Sequence, residues 1–228
     1  MAKSSTNTSA RRRPKSAGTR SARAATRRYG LSVFVNCPFD DQYREILWAI
    51  VFAIHDCGFI ARSALEISDS GEVRIEKIRR LIGACRFGLH DLSRTELDRE
   101  HGLPRFNMPL ELGLFLGAKW FGAPAQRRKV ALVLDRDRYR YQKYCSDIAG
   151  QDIAAHGDDP KRAVGEVRDW LAAAHRETLI PGGNKMWERY QRFKNDLPIL
   201  CAAIHLDPAD LTFSDHTTFV ATWQNDNP

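Results

Sequence analysis

No run in the 228 residues approaches 18 consecutive apolar side chains, so no membrane-spanning helix is expected. The five cysteines (Cys37, Cys57, Cys85, Cys145, Cys201) form no Cys-x-x-Cys pair, in a chain long enough to build a core without covalent staples. A reducing, cytoplasmic setting is expected, with the thiols acting as small buried apolar groups. No His-Glu-x-x-His spacing occurs, so no metal site and no resident cofactor are expected. The absence of Gly-x-x-x-x-Gly-Lys-Ser/Thr and of Gly-x-Gly-x-x-Gly argues against ATP hydrolysis of the usual kind and against a conventional dinucleotide fold. With 43% hydrophobic residues, 15 Gly and 10 Pro, the chain is neither wholly disordered nor collagen-like.

Acidic residues are missing from the first 29 positions, which hold nine Lys and Arg and only one aromatic residue. Taking those nine from the 35 basic residues leaves 26 against 28 acids, so the remainder is slightly negative and the overall +7 belongs to the tail. Residues 1–29 bury too little apolar surface to offset ordering entropy, and disorder is expected. Four readings of this segment compete: an arm on nucleic acid, an Arg-rich presequence, a contact with an acidic partner or membrane surface, and a solvated tail without a role in chemistry. It lacks the apolar stretch of a secretory signal.

Beyond the tail, short apolar strands alternate with amphipathic helices. LSVFV (31–35) reads as a buried strand, and 43–57 as a helix with Tyr43, Ile46, Leu47, Ile50, Val51 and Ile54 inward, closed by Gly58. Strands follow at 59–64, 86–92 and 129–135, with helices at 73–85 and 106–122 between them. This alternation predicts an α/β fold with a doubly wound parallel sheet over 30–136. From 137 to 228 only helices are expected, at 139–148, 161–174, 184–205 and 214–224, as a helical C-terminal extension.

Ligands of such sheets bind outside the carboxyl ends of the strands. There the sequence places Asn36, Asp40 and Asp41, then Glu66, Asp69, Ser70 and Glu72, then His90, Asp91, Ser93 and Arg94. Glu111 stands within FNMPLELGLFLGA, an acid on a largely apolar helix, and such an acid requires either a partner or a function. Ordinary structure accounts for several of these residues too. Glu111 can pair with Arg94 or Arg105, Asp91 can cap the following loop, Asn107 can be a helix N-cap with Pro109 in the first turn, and Asp69-Ser70-Gly71 is turn chemistry.

The blocks VFVNCPFDDQYREIL, SGEVRIEKIRRLIGACRFGLHDLS and N-x-P-x-E-L-G, in that order, resemble the superfamily that joins TIR-like domains with nucleoside 2-deoxyribosyltransferases. Pro104-Arg105-Phe106-Asn107 stands where the transferases carry an acid–glycine pair. The resemblance implies a flavodoxin-like or TIR-like sheet and cleavage of the base–ribose bond of NAD or a related nucleotide or nucleoside. In that reading Glu111 is the catalytic carboxylate, and Asp91 binds ribose hydroxyls or orients Glu111. Asn36, Phe39, Asp40 and Asn107 line the substrate pocket, and Asp69 and Ser70 belong to a covering loop. It also implies assembly into a homo-oligomer. The alternative is a module that binds a nucleotide signal without turnover, in a bacterial defence or stress system, and a third is an interaction protein acting through its basic tail.

Overall fold

The computed structural model describes residues 17–66, 69–95, 97, 102–104, 106–175 and 179–228. Five parallel strands form one sheet in the order β2-β1-β3-β4-β5. They are β1 (Ser32–Asn36), β2 (Ile60–Arg62), β3 (Phe87–Asp91), β4 (Val130–Asp135) and the two-residue β5 (Ala154–Ala155). The order reverses between β1 and β3, whose carboxyl ends bound the crevice that doubly wound sheets use for ligands.

Helices cover both faces. On one face lie α2 (Arg44–Asp56) and α5 (Pro160–Ala174), backed by α6 (Gly183–Ala203) and α7 (Phe213–Asp226). Helix α2 is buried from Ile46 through Ile54 except at the half-buried Trp48, because it lies between the sheet and the outer helices. Gly58, with φ +80, ends it: the Gly58 and Phe59 amides donate to the His55 and Ile54 carbonyls at 2.8 and 3.0 Å. The other face carries α3 (Arg74–Ala84) and α4 (Asn107–Phe121). Close approach of α4 depends on Gly88 in β3, where an added Cβ would stand 2.6 Å from the Phe115 ring.

Three sequence expectations differ from the structure. Residues 17–29, expected to be disordered, belong to a helix, α1 (Ala17–Leu31), whose Ala and Arg residues are strong helix formers. Its end is tied down: the Tyr29 hydroxyl donates to the Ala125 carbonyl at 2.8 Å, and the Arg86 amide to the Tyr29 carbonyl at 3.1 Å. Residues 139–148 form two short 3-10 turns instead of an α-helix. Tyr139 sits at φ +63, and the side chains of Arg140 and Tyr144 are drawn inward to Asp135. Finally, the segment after 137 is helical as expected except at β5, which joins the edge of the sheet beside β4, and α5 shares one core with α2 and β1.

Candidate functional site

Strand β1 ends in Asn36, which is buried, and both hydrogens of its side-chain amide nitrogen are used. Nδ2 donates to the Met108 carbonyl at 2.9 Å and to His90 Nδ1 at 3.0 Å. Burial, with the charge of Lys129 adding to it, lowers the His90 pKa to about 3. The ring is therefore neutral and Nδ1 accepts. Asn36 thus pins the first turn of α4 to the sheet. Asn107 opens that helix and is exposed, while Phe106 holds the cap position without a side-chain bond, so the helix starts one residue earlier than an Asn107 cap requires.

Glu111 lies in the second turn of α4, only 5% exposed, between Met108, Leu112 and Phe115. Burial raises its carboxyl pKa from 4.5 to about 7, against the opposing pull of the Arg74 guanidinium at the start of α3. No hydrogen bond or ion pair from the described residues reaches this carboxylate. Arg94, one of its two candidate partners, lies instead 3.5 Å from Asp40, and Arg105 lies outside the described residues.

Asp91, the last residue of β3, is fully buried and satisfied on both oxygens. It accepts the Tyr43 hydroxyl at 2.6 Å and the Ser93 amide at 2.8 Å, and Nε2 of His156 stands 3.0 Å from Oδ2. That last contact is close without being aligned as a hydrogen bond, so its attraction is chiefly that of charge. Burial pushes the Asp91 carboxyl up, but His156, Ser93 and Tyr43 together hold it below the ordinary range. The same burial lowers His156, and Asp91, with Asp158 and Asp135 behind it, more than reverses that. Asp91 and His156 therefore form a buried ion pair, and no hydrogen bond joins Asp91 to Glu111.

Cys37 follows Asn36 and is fully buried. Its thiol is pushed well up by burial and then by the charges of Asp91, Glu111 and Asp40. The charges of three residues singled out from sequence are therefore all felt at one buried thiol just after β1. Asp40 accepts the Tyr43 amide at 3.0 Å, and Phe39 packs half-buried on the core. Asp69 and Ser70 are exposed. Asp69 closes a turn by accepting the Gly71 amide at 2.9 Å, and residues 67 and 68 between this turn and Glu66 lie outside the described residues.

Sequence reasoning missed Tyr43, read only as an apolar helix position, and His156, in a stretch read as loop. It also missed Arg74. A tyrosine opening a helix beside a strand-end acid is a weak signal for the first, whereas a two-residue strand offers no periodicity that would reveal the second. Next to Asp91, β4 ends in Asp135, which is held by Arg140 at 2.7 Å and Tyr144 at 2.9 Å, so the carboxylates ending β3 and β4 both clamp loops. Among the described residues no His/Cys/Asp/Glu cluster has the makings of a metal centre, and no helix is long and apolar enough to cross a membrane. Comparison with family models, with curated proteins and with solved structures finds no match, so the chemistry of this site is argued from its own residues.

Proposed function

We propose that the crevice between β1 and β3 binds a nucleotide or nucleoside and that Glu111 acts on its N-glycosidic bond. The observation that carries this reading is a desolvated carboxylate with no hydrogen-bond or ion-pair partner among the described residues, set in the second turn of a helix that starts at the ligand edge of the sheet. Burying an acid without a partner is costly, and its presence is accounted for when a ligand supplies the missing charge. Departure of a base from C1′ of ribose builds positive charge on the sugar, and a fixed carboxylate beside that carbon lowers the barrier electrostatically or as a nucleophile. Water then adds to C1′ and gives up a proton. From a cationic N-glycoside such as the nicotinamide end of NAD the base leaves neutral, so no second acid is needed to protonate it. That fits a site in which Asp91 is already engaged.

Asp91 serves here as a positioning residue. Through Tyr43 it fixes the start of α2, and through Ser93 it fixes the loop after β3. Asn36 positions α4, and hence Glu111, through the Met108 carbonyl. The engagement of Asp91 equally favours a second reading, a pocket that binds a nucleotide signal without turnover, since the site then has one free carboxylate rather than a catalytic pair. The test is release of free base from NAD, nucleosides and nucleotides by the full-length protein, with Glu111→Gln as control. Base release that depends on Glu111 supports the enzyme. Calorimetric binding without release, at any protein concentration, supports the binding module.

A further inference from the structure

A second cavity, of about 330 Å³, opens between the start of α2, the middle of α6 and the Pro208–Asp210 turn that leads into α7. That is the lower end of the size range of small-molecule sites. Its walls are aromatic. His216 stacks on the half-buried Trp48 with ring centroids 4.1 Å apart and planes 12° from parallel, and Phe193 meets His216 edge-on at 5.6 Å. Tyr190 and the half-buried Leu211 also line it.

Two features point to an occupant. First, His216 is 1% exposed, yet its Nδ1 meets no hydrogen-bond partner among the described residues. A buried ring nitrogen left unpaired costs about 1–3 kcal/mol and calls for an explanation. A half-turn about Cβ–Cγ keeps the stack on Trp48 and re-aims the nitrogens, so the contents of the cavity can supply the partner. Second, the charges at the rim cancel in pairs, Arg44 with Asp41 and Lys194 with Glu45. The mouth therefore selects for neither sign. Burial with the charge of nearby His55 lowers the His216 pKa to about 3, so the imidazole offers a neutral donor or acceptor rather than a cation.

We propose that this cavity is a binding site for a small, neutral, planar heteroaromatic molecule that stacks among Trp48, Tyr190 and Phe193 and hydrogen-bonds the His216 imidazole. The site is separate from Glu111. It adjoins the β1/β3 crevice at the start of α2, where Asp41 and Arg44 stand on either side of the Tyr43 that holds Asp91.

The test uses the full chain and two bicyclic probes, benzimidazole at a pH where it is neutral and its nitrogen-free shape analogue indene, followed by NMR at the Trp48 and His216 rings. Saturable shifts at both rings are expected, with benzimidazole binding about tenfold more tightly than indene because it alone supplies the hydrogen bond. His216→Phe keeps the stack and removes the nitrogens, so it should erase that difference. Leu211→Trp, which enlarges a lining side chain and leaves the imidazole in place, should block both probes, and it carries the test should His216→Phe fail to fold. Absence of shifts at both rings up to the solubility limit would overturn the proposal, as would a benzimidazole preference that survives in His216→Phe. So would ring shifts that track protein concentration and a doubled mass in sedimentation, because the occupant would then be a second copy of the chain.

Discussion

At Glu111, burial and chemistry pull in opposite directions. A carboxyl held at about 7 against an ordinary 4.5 binds more protons folded than unfolded, so it costs stability as pH climbs between those values. Glu111→Gln is therefore expected to stabilise the protein by about 1–2 kcal/mol at pH 8 and to change little at pH 4, read from denaturant midpoints. Destabilisation at pH 8 would mean that the carboxylate holds the structure together. Asp91 and His156 predict the reverse. The stability from His156 is fully present below its ordinary 6.5 and is lost as pH rises through its raised value, while that from Asp91 is present above its ordinary 3.8 and is lost as pH falls through its lowered one. The pair stabilises most between those two ordinary values, and His156→Ala at pH 5.5 should cost about 3 kcal/mol by stranding a buried carboxylate. Glu111 and Asp91 were legible in the sequence because an acid in an apolar helix and an acid ending a strand each break a pattern. Tyr43 and His156 were not, because each obeys the local pattern and acquires its role only where the chain returns from far away.

At the level of elements, the approach of α4 to the sheet decides where Glu111 sits, and Gly88 permits it. Gly88→Ala puts a methyl into the Phe115 ring, which should lower stability by about 1–3 kcal/mol and expose Glu111. The Glu111 titration, followed by carboxyl NMR, should then move down toward 4.5. An unmoved titration would show that α4 is placed by other contacts. Most elements were readable because their apolar period was unambiguous: α2, α3, α4 and four strands fall within a few residues of expectation. The 139–148 stretch was not, because its aromatic and basic residues fit a helical period and yet serve as ligands for Asp135 and the loop after β3. In α1 helix propensity outweighed the missing core. The exposed side chains at 21–28 leave it held mainly at Tyr29.

In the whole molecule, the sheet and the helices after residue 137 share one core in which Val33, Phe52, Val164, Phe193 and Trp223 belong to a single cluster. A chain cut after residue 136 would bare the outer face of α2, and it is expected to lose cooperative unfolding in calorimetry, whereas a chain beginning at residue 30 should keep it. The charge is divided as sharply as the core is shared, with a basic N-terminal segment on a slightly acidic body. The acids of that body that gather at the β1/β3 crevice are the ones on which the proposed function rests. The central claim is that Glu111 acts there as an ionised carboxylate, and the most direct test is the pH dependence of base release from NAD or a nucleoside under kcat/KM conditions. The account predicts a rate that rises with pH through about 7, levels off above it, and vanishes in Glu111→Gln. A rate that falls as pH passes 7, or activity that survives the substitution, would contradict it.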